Sequence, residues 1–76
     1  MMPIASAVVE TEEGLIGAVL GILALMPEVS VYGVKENQIV VVMDGDSIGV
    51  IEESIRKMQI LEGVTGVYPV YSSIDE

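Results

Sequence analysis

Ile39-Val40-Val41-Val42-Met43, then Asp44-Gly45-Asp46-Ser47, then Ile48, Ile51, Ile55 and Met58 at helical spacing, read as a strand, a break and a helix in succession. Four consecutive β-branched residues favour an extended backbone, and the Asp-Gly-Asp-Ser cluster interrupts it and offers Asp46 as a helix cap. The same succession stands at the N-terminus. When the sequence is slid on itself so that Ile4 falls on Ile39, Thr11 falls on Asp46, Gly14 on Gly49, Ile16 on Ile51 and Val29 on Val64. An internal duplication of this kind implies two βαβ halves.

Working outward, Ile4 to Val9 is the first strand, and Thr11-Glu12-Glu13 supplies a cap and first-turn acids for a helix. That helix carries Leu15, Ile16, Val19, Leu20, Ile22, Leu23 and Met26, more than one apolar stripe, so broad burial is expected before Pro27 ends it. Gly17 and Gly21 are expected to pack closely inside the domain. Val29 to Val34 is the second strand, Lys35 to Gln38 a turn, and Val64 to Tyr71 the last strand. Gly63 suits the left-handed residue after the second helix, Gly66 a bulge, and Pro69 an edge position.

The order βαββαβ predicts an α+β, ferredoxin-like sandwich spanning 1–76 as a single domain. Right-handed crossovers then give an antiparallel sheet of order 4-1-3-2 with two helices on one face. The second face is left open, and neither alternating set of strand residues is polar enough to meet only water. Ala5, Ala7, Val9, Val40 and Val42 are assigned to the helix side. Ile4, Ser6, Val8, Ile39, Val41 and Met43 are assigned to the open face, joined by Tyr32 and Val34 for a hairpin loop of even length, an odd loop flipping the second strand, and by Tyr68 and Val70 through the pseudo-symmetry. An apolar platform of that kind fits another polypeptide, and Met43 would let it adapt.

Composition narrows the chemistry. The sequence has no cysteine and no histidine, which removes thiol nucleophiles, thiolate metal sites and any side chain that titrates near neutrality. Twelve acids against Lys35, Arg56 and Lys57 give a net charge of -9, a sign that repels nucleic acid and anionic lipid. Asp44-x-Asp46 resembles the start of a calcium loop, but Ile55 stands where that loop needs its bidentate glutamate. Arg56 is the sole guanidinium and lies on a helix, so no loop arginine is available for a phosphate cradle. Neither catalytic residues, nor a metal, nor a cofactor is expected. The longest apolar run, Gly14 to Met26, is shorter than the roughly 20 residues of a bilayer span, and with no basic leader the expected compartment is the cytoplasm.

Ser6-Ala7-Val8-Val9-Glu10, Gln38-Ile39-Val40-Val41-Val42, Ile51-Glu52-Glu53-Ser54-Ile55-Arg56 and the ending Leu61-Glu62-Gly63-Val64 through Val70-Tyr71 together resemble the NapD family. That resemblance implies a cytoplasmic assembly chaperone that binds the twin-arginine signal peptide of the periplasmic nitrate reductase catalytic subunit and delays export until the cofactor is in place. The residues agree with it: an acidic field suits the basic stretch of such a peptide and an apolar face its hydrophobic stretch, with the peptide on the open face or added along an edge strand and Glu10 or other rim acids near its arginines. A homodimer through exposed apolar strands is also compatible. Glu12-Glu13-Gly14-Leu15-Ile16 looks somewhat like the amino-acid-binding turn of ACT domains, which keeps an ACT- or Lrp-type regulatory domain as the alternative.

Overall fold

The β-branched runs of the sequence pair into one sheet in the computed structural model, which describes residues 3–70. The elements are β1 (Ile4–Thr11), α1 (Ile16–Leu23), β2 (Val29–Lys35), β3 (Gln38–Asp44), α2 (Ile48–Gln59) and β4 (Val64–Val70). The strands lie in the order β2-β3-β1-β4, and every neighbouring pair is antiparallel. This is the predicted order read from the other edge. It places Pro69 on an edge strand, where its missing N–H disturbs no inner ladder. Tyr71 lies outside the described residues.

The helices cover one face of the sheet, and cross-strand partners decide which side chains meet them. Ala7 opposes Val41, Val9 opposes both Ile39 and Val67, and Ala5 opposes Met43. Ala7, Val9, Ile39, Val41 and Met43 are fully buried, together with Val19 and Leu23 of α1 and Met58 of α2. Each large aliphatic or thioether side chain in that set contributes about 1.5–3 kcal/mol through loss of apolar surface to water. The expected faces of β3 are therefore exchanged: Ile39, Val41 and Met43 point to the helices, and Val40 and Val42 point away. The cause is register, since an antiparallel partner directly opposite a core residue shares its face.

Two helix starts also differ from the sequence reading. Thr11 is the last residue of β1 rather than a cap, buried, with its hydroxyl donating to the Asn37 carbonyl at 3.4 Å. The chain reverses through Gly14, whose φ is +86°, and α1 begins after Leu15 with no side-chain cap. In α2 the cap is Ser47 rather than Asp46, its hydroxyl accepting from the Val50 N–H at 3.4 Å. Arg56 and Lys57 occupy the last turn, where positive charge suits the helix dipole.

The two helices bury themselves unequally. In α2, Ile51, Ser54 and Met58 form the inner stripe, and the Ser54 hydroxyl is satisfied by the Val50 carbonyl at 3.1 Å. In α1 only Val19 and Leu23 are buried, while Ile22 is part-exposed and Leu25, just beyond the helix, is 80% exposed. Gly17 and Gly21 face open space, with no atom within 4 Å of where a Cβ would stand. Close packing at these glycines and burial all round α1 do not occur, because an eight-residue helix lying on a sheet presents only one side to it.

Candidate functional site

The face of the sheet away from the helices can be written as three rows of cross-strand partners. The first is Val70, Ser6, Val42 and Ser30; the second is Tyr68, Val8, Val40 and Gly33; the third is Gly66, Glu10, Gln38 and Lys35. Ile4 opposes Asp44 at the end beyond the first row. The first two rows hold no charged side chain, and Ser6 donates its hydroxyl to the Val70 carbonyl at 3.0 Å, so its polarity is taken up by the sheet. Tyr68 and Val70 are each 53% exposed and Val40 is 42% exposed, with Val8 and Val42 half-buried between them. Large apolar side chains left this open over two adjacent rows make a continuous patch, a feature that marks binding surfaces.

Of the sequence-predicted site residues, Ile4, Ser6, Val8, Glu10, Tyr68 and Val70 lie on this face. Val34 does not: it opposes Ile39, on the helix side of the edge strand, and is half exposed there. The loop between β2 and β3 has the expected even length, but the register shifts between Val31 and Gly33, leaving Tyr32 as an extra residue. Tyr32 has no cross-strand partner and is 73% exposed on the edge strand, beside Gly33 of the open face. Val40 and Val42 belong to the patch in place of Ile39, Val41 and Met43, and pairing β1 to β3 through Ala7 and Val41 is the signal that finds them.

Two aromatic and polar details shape the third row. Tyr68 lies two residues after Gly66 on the same face, and its ring fills the space that a side chain at position 66 would take: a Cβ there would stand 2.5 Å from Oη and 2.8 Å from Cζ. The glycine is what lets the ring lie down along the strand. Across the ladder, Gln38 donates from Nε2 to Oε2 of Glu10 at 3.2 Å. Next to this pair opens a cleft of about 290 Å³ lined by Glu10, Thr11, Glu36, Asn37, Gln38 and Thr65. Its wall at Glu36 is held by a left-handed backbone, φ +57°, at the first position of the two-residue hairpin loop.

The described residues contain no group of three or more potential ligands that could hold a metal ion. No helix among them is long and apolar enough to cross a membrane.

The sequence matches the family model for the NapD protein over residues 2–76. In fold, the chain is similar to the E. coli Tat proofreading chaperone protein NapD, solved in solution, with a TM-score of 0.87 at 23% identity, covering 99% of this chain and 81% of that one. No curated protein matches it.

Proposed function

The chain belongs to the NapD family, which it matches from residue 2 to residue 76, and from that premise we propose that it is a non-catalytic chaperone that holds the twin-arginine signal peptide of the periplasmic nitrate reductase catalytic subunit before export. The single observation that carries the site is the uncovered sheet face: two rows of uncharged, largely apolar side chains on a chain of net charge -9. Such a peptide is basic and then apolar, so the charge of the chain speeds its approach and the patch retains it. The contacts come from Ile4, Ser6, Val8, Tyr32, Val40, Val42, Tyr68 and Val70, with Glu10 at the polar end. This work is done in the cytoplasm, where the signal peptide emerges.

Calorimetric titration with a synthetic twin-arginine signal peptide tests the reading. Wild type should bind it, and Val8→Asp, which puts a charge in the middle of the patch without entering the core, should weaken binding at least about tenfold. Unchanged affinity in that variant would take the peptide off this face, and absence of heat with wild type would remove the chaperone reading.

A further inference from the structure

We propose that Glu10, Gln38 and the Tyr68 ring over Gly66 form a subsite for one arginine guanidinium of the bound peptide, an inference that rests on the open face being the peptide site. Glu10 stands between Gln38 and Gly66 in the third row. The Gln38 bond to Oε2 holds the carboxylate in one orientation, and among the described residues no donor meets Oε1. On the other side, the hydroxyl end of Tyr68 reaches back over Gly66, the direct cross-strand partner of Glu10. A carboxylate with a fixed plane beside a half-exposed aromatic ring is suited to a cation that is itself planar. Guanidinium donates a fork of N–H groups to the one and stacks on the other, whereas an ammonium group is compact, strongly hydrated and makes neither contact as well.

The surroundings set the direction from which the arginine arrives. Lys35 ends the third row on the β2 side, next to Gln38, and repels a second cation there. The β4 side, where Tyr68 lies, carries no such charge, and the cleft beyond the third row, between the β2–β3 hairpin with Glu36 and Thr65 of β4, gives the rest of a basic segment room. With the guanidinium held in the third row, the apolar stretch that follows it extends over the second and first rows, towards Ile4. The subsite therefore fixes the polarity of the peptide on the sheet as well as its preference for arginine.

The test is a set of calorimetric titrations of wild type, Glu10→Gln, Tyr68→Leu and Val8→Asp with three synthetic signal peptides, carrying paired arginines, paired lysines or paired glutamines. Wild type should prefer arginine to lysine by about tenfold, and Glu10→Gln should lose about tenfold for the arginine peptide and less than twofold for the glutamine one. Tyr68→Leu should remove the preference for arginine over lysine. If Glu10→Gln changes all three affinities alike, or none, while Val8→Asp still weakens binding at least about tenfold, the subsite is wrong and the peptide face stands. If wild type binds none of the peptides, both fall together. Thermal unfolding of the two subsite variants should match wild type, since neither side chain enters the core.

Discussion

Val41 stands directly across the β1–β3 ladder from Ala7, and both side chains are closed off from solvent. Its neighbour Val40 opposes Val8 instead and lies on the other side of the sheet. Two chemically identical residues, adjacent in sequence, therefore answer to different forces. One is held by the helices; the other meets water or a ligand.

The same substitution at the two positions should separate them sharply. Val41→Asp buries a carboxylate with no partner, at a cost of several kcal/mol, a large part of the 5–15 kcal/mol that stabilises a small domain. Val40→Asp leaves the carboxylate hydrated and should change stability by less than about 1 kcal/mol. Urea unfolding followed by circular dichroism should find Val41→Asp largely unfolded without denaturant and Val40→Asp close to wild type. Comparable loss in both would mean that the register across Ala7 is not the one that forms.

The exposed glycines of α1 lead to a gain rather than a loss. Gly17 and Gly21 lie in a helix with open space where their Cβ atoms would be. Glycine there carries the entropy cost of ordering a flexible backbone with no packing in return, so Gly17→Ala and Gly21→Ala should each stabilise by about 0.5–1 kcal/mol. The two sites lie one helical turn apart on one face, so the double variant should be more stable than either single variant without having to reach the sum. A rise in the urea midpoint at constant slope is the expected result. A fall in either variant would show that this helix face packs against something in solution.

Element order and sheet topology were legible in the sequence because they rest on signals that survive local ambiguity: β-branched runs, the Asp-Gly-Asp-Ser break, Gly63 after α2, Pro69 at an edge. Facing was not legible to the same degree. The run Val40-Val41-Val42 has no polar residue to mark its outer side, so alternation is silent there. The repeat that superposes Ile4 on Ile39 uses an odd shift, which carries an outward residue of β1 onto an inward one of β3. The bulge at Tyr32 is a further break, since it flips the residues on one side of it and leaves Val34 opposite the inward Ile39. On β1 the small Ala5 and Ala7 marked the side the helices approach, and the outward Tyr68 and Val70 of β4 followed from the pseudo-symmetry. Thr11 misleads for a different reason: a threonine before two acids is a good helix cap, but here its backbone N–H bonds the Asn37 carbonyl at 2.9 Å and the strand continues through it.

Gly63 and Gly14 share a backbone conformation and differ in what surrounds them, which allows strain and packing to be measured apart. Their φ angles are +94° and +86°, so alanine at either position meets the left-handed penalty of about 1–2 kcal/mol. At Gly14 that is all, because no atom lies within 4 Å of the added Cβ. At Gly63 the Cβ would stand 3.2 Å from the Leu15 Cβ and 3.3 Å from both Leu15 Cδ1 and Val19 Cγ2. The Gly63 carbonyl also accepts from the Glu12 N–H at 2.8 Å, tying the loop before α1 to the loop before β4, so the crowded groups have little freedom to separate. Overpacking of this kind adds about 1–3 kcal/mol. Gly63→Ala should therefore lose more stability than Gly14→Ala by roughly that amount in urea unfolding, with peptide affinity of the folded fraction unchanged in both because each lies on the helix side of the sheet. Equal losses would mean that α1 shifts freely on the sheet and that Leu15 and Val19 do not hold it in place.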